Sequence, residues 1–309
     1  MEIDYNFKNK EILVLGSLGF IGKNLIERLS GEGAKVTGIG RDTSPPINLR
    51  YNYIAHDFSV NPLVELKQKK FEYVINCLGK IDHEEYLLNG RNIISNNLIS
   101  SFNIIDSLNL KSLKKIIHIG SSDEYEDSSG PISESMLLSA ETSYSFAKIS
   151  ATYFFKMLFH QLNLPVVILR PFIVYGPGQK GNRLVPYVIK NCLNDKVFNL
   201  TEGNQLRDFL FIDDFIDVVI TSLNLKSSLN GEIFNIATGV PTSVKTVVQM
   251  IQDKINKGTP KFGNHPNPKK ENQTLFADNS KAFNLIGWKY KTDLESGLDT
   301  TIKSYMNEK

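Results

Sequence analysis

The chain has little cysteine, no long apolar run and almost no net charge. No apolar stretch approaches the roughly 20 residues that a membrane-spanning helix needs, so no transmembrane segment is expected. A formal net charge of +2 over 309 residues is too small to draw the chain to nucleic acid or to a membrane surface. Neither partner is expected. The two cysteines, Cys77 and Cys192, sit in apolar surroundings. They read as reduced core thiols of a cytoplasmic protein and not as a disulfide. The five histidines form no ligand-spaced cluster, so no metal site is expected. Met1 to Lys10 is polar and lacks the apolar core of a signal peptide. There is no internal repeat and no low-complexity tract. What is present is ordinary globular material, 41% hydrophobic, enough for one large or two moderate domains.

Short β-branched runs alternate with helical patterns. Glu11–Leu15 reads as a buried strand. It runs into Gly16-Ser17-Leu18-Gly19-Phe20-Ile21-Gly22, and a helical pattern of Ile21, Leu25, Ile26 and Leu29 follows at once. Strand, glycine loop and helix form the context of a dinucleotide site. The glycines permit a tight turn and a close backbone approach to a pyrophosphate, with Leu18, Phe20 and Ile21 between them. The helix N-terminus offers N–H groups to its charge. The second strand, Lys35–Gly40, would end in Asp or Glu if it held the ribose hydroxyls of NAD. Here Gly40 is followed by Arg41. A guanidinium binds a 2′-phosphate that a carboxylate would repel, which favours NADP(H) over NAD(H). The competing reading is an exposed Arg41 with Asp42 on the ribose.

Further strands are expected at Tyr53–Asp57, Phe71–Cys77, Lys115–Gly120 and Pro165–Arg170, with a long helix from Asn92 to Leu108. Asp57 would meet the adenine amino group or end its strand, and Leu78 would pass near the phosphates and ribose. Six strands alternating with helices imply a doubly wound parallel sheet, an α/β fold of Rossmann type. The fifth strand empties into Ser121-Ser122-Asp123-Glu124-Tyr125, at the end of the sheet where ligands collect. The pattern loosens near residue 176. Residues 1–175 are expected to form the cofactor domain, to which a segment over about 208–240 returns, and 176–309 a smaller α/β substrate domain. The latter is expected to hold a helix at Leu184–Leu193, then a hairpin, helices at Asp213–Leu223 and Val244–Ile255, a loop at Gly258–Glu271 and a last helix at Leu294–Met306.

Helix Ser143–Leu162 carries Tyr144 near its start and Lys148 one turn later. That spacing puts both on one face. A free phenol titrates near 10, and a nearby cation pulls that value down. The pair is therefore suited to proton exchange at a substrate oxygen. The helix is apolar around much of its circumference, which implies core on one side and a homodimer contact on the other.

Taken in order, these motifs resemble the extended short-chain dehydrogenase/reductases, the NAD-dependent epimerase/dehydratase family, in its nucleotide-sugar branch. The likeness rests on Gly16-Gly19-Gly22, Ser121-Ser122, Tyr144 with Lys148, and Arg170–Pro177. It continues through Gly203–Phe209, Ile212-Asp213-Asp214 and Leu285–Trp288. The resemblance implies that Tyr144 is the acid/base and that Lys148 holds the nicotinamide ribose. It makes Ser122 the hydroxyl that orients the reacting oxygen, with Ser121 as the alternative, and Arg207 the cation on the substrate diphosphate. The alternative for Arg207 is a surface salt bridge with Asp208. Ile173 stands where many members carry a phosphate-binding Asn. Lys269-Lys270-Glu271-Asn272 replaces an Arg-Pro-Gly-Asp stretch, with Lys270 as its cation.

The same scaffold dehydrates, epimerises, decarboxylates or reduces. Gly40-Arg41 favours NADPH and hence a net reductase, and parts of the chain resemble nucleotide-sugar ketoreductases. The expectation is C4 reduction of a nucleoside-diphosphate 4-keto-6-deoxyhexose, in deoxysugar biosynthesis for surface polysaccharide such as O-antigen. A 4,6-dehydratase is the rival. Ser122-Asp123-Glu124 is similar to the Thr-Asp-Glu of those enzymes, which would make Asp123 and Glu124 an acid and a base. A 4-epimerase is third, and a non-catalytic NADP-binding protein is the reading from another class.

Overall fold

Glu11–Leu15 (β1) buries Ile12, Leu13, Val14 and Leu15 alike. A strand with no polar face belongs inside a parallel sheet that is covered on both sides. The computed structural model describes residues 7–46, 49–180, 183–266 and 272–307, and β1 is interior in it. The sheet gathers β1, β2 (Lys35–Gly40), β3 (Asn52–Ala55), β4 (Tyr73–Asn76), β5 (Lys115–Ile119) and β6 (Val166–Pro171), then a later strand at Ile233–Ile236. Its order is Ile233–Ile236, β6, β5, β4, β1, β2, β3. All pairings among β1 to β6 are parallel. From β1 the chain winds one way through β2 and β3 and the other way through β4, β5 and β6. The reversal between β1 and β4 opens the crevice at the carboxyl ends where such sheets bind ligands. The expected doubly wound α/β fold is the one found.

Helices cover the sheet. The first, α1, spans Phe20–Gly31. The expected helix from Asn92 starts earlier and is not uniform. Two π turns, Tyr86–Gly90 and Ser95–Ile99, alternate with α2 (Arg91–Ile94) and α3 (Ser100–Ser107). Around the second of these turns a run of polar side chains donates to carbonyls one turn back: Asn96 to Asn92, Asn97 to Ile93, Ser100 to Asn96 and Ser101 to Asn97. Such bonds compete with the backbone ladder and loosen it.

Helix α4 spans Ser143–Leu162, as the periodicity predicts. Thr142 and Ser145 cap its start reciprocally, and Asn163 ends it in the left-handed region at φ 51°. It buries Tyr144, Ala147, Lys148, Ala151, Thr152, Phe155 and Leu158 on one stripe. Phe146, Tyr153 and Met157 stay exposed on another. Phe155 and Leu158 join Leu13, Val74, Ile116 and Ile168 in one core cluster.

The residues group into two compact units. The first holds the chain up to Glu126, then Leu137–Arg170 and Ile216–Phe234. The second holds Asp127–Met136, Pro171–Phe215 and the chain from Asn235 onward. Its elements, with two that reach into the first unit, are β7 (Ile173–Tyr175), α5 (Leu184–Leu193), β8 (Val197–Asn199), β9 (Leu206–Phe211), α6 (Ile212–Leu223), β10 (the strand Ile233–Ile236), β11 (Pro241–Ser243), α7 (Val244–Ile255), β12 (Thr259–Lys261), β13 (Thr274–Leu275), α8 (Ser280–Ile286) and α9 (Leu294–Asn307). Parallel β7, parallel β13 and antiparallel β11 all pair with β9. The hairpin expected after α5 is not formed. β8 pairs in parallel with β12, which takes up part of the loop expected at Gly258–Glu271. A parallel pair needs a long crossover, and the chain through α7 supplies it.

One carboxylate organises the second unit. Asp208 on β9 is fully buried. It accepts from the Thr238 N–H at 2.8 Å, the Thr238 hydroxyl at 2.7 Å, the Gly239 N–H at 2.8 Å and the Ala277 N–H at 3.4 Å. Removing one partner of a buried charged network leaves the others unpaired, at about 3–5 kcal/mol. Asp208→Ala is therefore expected to lose about that much stability in urea titration. A loss below about 1 kcal/mol would show that water replaces the carboxylate.

Candidate active site

The loop after β1 is shaped by close approach. Gly16 has φ +80°, and a Cβ there would lie 3.0 Å from the Cys77 carbonyl oxygen. A Cβ on Gly22 would overlap the carbonyl oxygen of Gly16. Helix α1 therefore starts hard against the loop. Gly19 is its N-cap, no side chain caps it, and its first turn carries no acid. Its leading N–H groups are thus offered to an anion, and a dinucleotide pyrophosphate fits this end. Leu18, Phe20 and Ile21 lie along the same stretch.

At the end of β2 the exposed Arg41 donates through Nη1 to Asn96 Oδ1 at 2.8 Å. This bond ties the guanidinium to the Ser95–Ile99 turn. Asp42 accepts from the Ser44 N–H at 2.9 Å. Asp57 accepts from the N–H and hydroxyl of Ser59 at 2.9 and 2.7 Å. Both carboxylates cap local turns.

Tyr144 and Lys148 are both buried, one turn apart on α4. Lys148 Nζ lies 6.0 Å from the centroid of the Tyr144 ring and donates to the Ile119 carbonyl at 2.9 Å. Burial pushes the ammonium down to about 8, against the opposing pull of Glu124, Cys77 and Asp123. His83 stands edge-on to the Tyr144 ring at 5.6 Å, and its Nε2 is 3.5 Å from Asp123 Oδ2.

Beside the ammonium is a residue that the sequence reading passed over. The amide of Asn97 donates to Lys80 O at 3.1 Å and to Ile93 O at 2.9 Å. Its oxygen is buried without a partner. A Cβ on Gly79 would lie 2.7 Å from that oxygen and 3.3 Å from Lys148 Nζ. An unsatisfied buried acceptor costs about 1–3 kcal/mol, and a hydroxyl or water entering beside Gly79 would relieve it. The available signal was the Asn96-Asn97 pair one turn beyond Ile93 in the helix over Asn92–Leu108.

The turn after β5 is a 3-10 segment, Ser122–Glu124, capped by Ser121, whose hydroxyl accepts from the Asp123 N–H at 3.1 Å. Ser122 is buried at its first position. Glu124, named above with Asp123 as an acid/base candidate, needs correction. Its Oε2 accepts from Arg170 Nη2 at 2.7 Å, Arg170 Nε at 3.0 Å and the Thr152 hydroxyl at 2.8 Å. Its Oε1 accepts from the Ser121 N–H at 2.9 Å. The carboxylate is wholly buried and bonded to Arg170, Thr152 and Ser121. Its four hydrogen bonds all go to the protein's own groups, which suits an anchor better than an acid or base for substrate. Asp123 is less buried and faces His83.

In the second unit Arg207 lies on β9, mostly buried, and its Nη1 donates to the Leu206 carbonyl at 2.8 Å. The alternative of a surface salt bridge with Asp208 does not hold. Asp208 is interior, and four donors from Thr238, Gly239 and Ala277 take up its carboxylate. Ile173 opens β7 opposite Phe209. Lys270 lies outside the described residues.

The family model for the NAD dependent epimerase/dehydratase family matches residues 12–237. The chain belongs to this family. Within it, the chain is 27% identical over 312 residues to CDP-abequose synthase of Salmonella typhimurium, covering 96% of this chain and 99% of that one. It is 26% identical over 310 residues to UDP-glucuronate 4-epimerase of Thermodesulfobacterium geofontis, covering 94% of each. The solved UDP-glucuronic acid 4-epimerase of Bacillus cereus, in complex with UDP-glucuronic acid and NAD, superposes with a TM-score of 0.85 at 27% identity, over 97% of this chain and all of that one. This member of the epimerase/dehydratase family is thus an oxidoreductase-type enzyme of the extended short-chain dehydrogenase/reductase kind.

In this family member, the first unit contains the glycine loop, Arg41, Leu78, the Ser121–Ser122 turn and the Tyr144–Lys148 pair. Lys148 gives a pH test. Its buried ammonium titrates near 8, whereas an unfolded lysine holds its proton to about 10.4. Charge burial is therefore a cost at neutral pH that is relieved as pH rises through 8, so this residue's contribution to stability increases from about pH 8 to 10. Lys148→Met should be more stable than the wild type at pH 7, by on the order of 1–3 kcal/mol, and inactive. The advantage should shrink above pH 9. Urea titrations at both pH values check this, and an advantage independent of pH would contradict it.

Proposed function

We propose that the chain is an NADPH-dependent reductase of a nucleoside-diphosphate 4-keto-6-deoxyhexose, acting at C4 in deoxysugar biosynthesis for surface polysaccharide. The observation that carries this reading is Gly40-Arg41. At the end of β2, where a carboxylate would hold the ribose of NAD, there is a tethered, exposed guanidinium suited to a 2′-phosphate. A cofactor that must arrive reduced and leave oxidised suits net reduction. The likeness to CDP-abequose synthase supports the substrate class. The engagement of Glu124 counts against a 4,6-dehydratase, which needs a second acid/base pair.

The glycine loop, Arg41, Leu78 and Lys148 would hold the dinucleotide, which supplies a hydride when bound. Tyr144 gives its phenolic proton to the carbonyl oxygen of the sugar as the ketone becomes an alcohol. Ser122, or Ser121 in its place, donates a hydrogen bond to the same oxygen. Lys148, as an ammonium, stabilises the phenolate left behind and holds the nicotinamide ribose. Arg207 binds the substrate diphosphate and Lys270 adds a cation, while Ile173 leaves the usual Asn contact apolar. In this reading 1–175, with the return at about 208–240, serves the cofactor, and 176–309 the sugar nucleotide. The exposed stripe of Phe146, Tyr153 and Met157 supports a homodimer. The free thiols of Cys77 and Cys192 suit the cytoplasm.

A second reading, a 4-epimerase that keeps NAD bound, draws on relatives of similar identity. The two separate cleanly. Parent and 4-keto-6-deoxy forms of CDP-, dTDP-, UDP- and GDP-hexoses are incubated with NADPH, NADH or neither. Oxidation of NADPH by a keto sugar alone is expected. Arg41→Glu should raise the KM for NADPH at least about tenfold, with little effect on NADH. A 4-epimer formed from a parent sugar with no added cofactor would overturn the reductase reading.

A further inference from the structure

We propose that Glu124 is the positioning residue of this active site: one buried carboxylate locks the turn bearing Ser121 and Ser122 onto the helix bearing Tyr144 and Lys148. The donors come from three places. The Ser121 N–H belongs to the turn itself and binds Oε1. Thr152 binds Oε2 from α4. It lies one turn beyond Lys148 and two beyond Tyr144, on the same buried stripe. Arg170 binds Oε2 twice from β6 and stacks its guanidinium 4.7 Å over the Tyr125 ring.

The clamp has no slack. A Cβ on Gly120 would lie 2.6 Å from Glu124 Oε1, and the Glu124 backbone carbonyl accepts from the Ser139 N–H at 3.0 Å. A proton donor and an oxygen-orienting hydroxyl must converge on one substrate atom, and misplacement by about 1 Å costs around a hundredfold in rate. The two arrive on different elements, and Glu124 joins those elements directly. Glu124 also touches the electrostatics of the pair. Lys148 is faced by Glu124 and Asp123 from the turn, Cys77 from the end of β4, His118 from β5 and Tyr144 from its own helix. The Glu124 charge helps to keep the ammonium protonated.

The proposal rests on the reductase reading only for the reaction used to measure it. The test compares Thr152→Val, Thr152→Ser and Glu124→Gln with the wild type, and Thr152→Val again in a Ser122→Ala background. The assay is NADPH oxidation by a nucleoside-diphosphate 4-keto-6-deoxyhexose. Thr152→Val is expected to lower kcat about tenfold while the KM for NADPH stays within about twofold, and Thr152→Ser to restore kcat. In the Ser122→Ala background the valine should cost nothing further, because the hydroxyl it misplaces is gone. Glu124→Gln should move the alkaline limb of the pH profile to lower pH. An unchanged kcat in Thr152→Val, multiplying losses in the double variant, or an unmoved alkaline limb would each overturn the proposal. If the wild type reduces no keto sugar, the reductase reading falls, and hydrogen exchange then decides the clamp. The Ser121 and Asp123 amides should exchange at least about tenfold faster in Thr152→Val, beyond any change in the β1 and β4 amides, and equal exchange overturns it.

Discussion

One row of backbone pairing governs the rest. Leu15, Asn76, His118 and Ile168 stand opposite one another across β1, β4, β5 and β6. A slip of one residue in any of these strands would turn its whole set of side chains to the other face. Because the row is level, the loops at Gly16, Leu78 and Ser121 leave the sheet at the same edge. Each brings one component of the chemistry: an anion-binding helix end, a passage beside the ammonium, and the hydroxyls. The strands hold this register because both of their faces are covered. Ile12, Leu13, Val74, Ile75, Ile116 and Ile117 leave no polar side to expose.

Beneath that edge, buried polar groups tether the exits of β4 and β5. Asn76 accepts from the Leu78 N–H at 3.1 Å and donates to His118 Nδ1 at 3.2 Å. Burial, with the cations Lys148 and Arg170 near, pushes the His118 imidazole well below its usual range, so it is neutral and can accept. Lys148 hangs from the Ile119 carbonyl, and Glu124 grips Arg170 and Thr152. Each bond adds only about 1 kcal/mol net when formed, but leaving one half of a buried pair costs several times that. The asymmetry favours one arrangement of loops over many near-equal ones.

The strands β1 to β6 and helix α4 were legible because their signals are local. Apolar β-branched runs give strands, and a long apolar helical pattern starting at Ser143 gives α4. The glycine loop and the Tyr144–Lys148 spacing were legible for the same reason. Glu124 was not. Beside Asp123 it looks like half of an acid/base pair, and its true partner, Arg170, lies 46 residues further along the chain. Only the β5–β6 register brings them together. Asn97 was hidden because an asparagine in a helix reads as a surface residue until its burial is known. The π turn at Ser95–Ile99 was missed because side-chain bonds to carbonyls surround it, and apolar periodicity does not encode them. The β8–β12 pairing joins segments about 60 residues apart, so the nearer hairpin was the natural expectation.

The strand Ile233–Ile236 seals the outer edge of β6, yet it is synthesised long after the rest of that sheet. Until it has left the ribosome, β6 presents an open row of N–H and C=O groups made of Val166 to Leu169, apolar on both faces. Such an edge is a template for pairing with another chain. The nascent protein therefore carries an exposed, aggregation-prone edge while the intervening segment, Pro171–Glu232, is being made. The strand that closes the sheet has to be waited for, and no piece of the chain ending near residue 175 contains it.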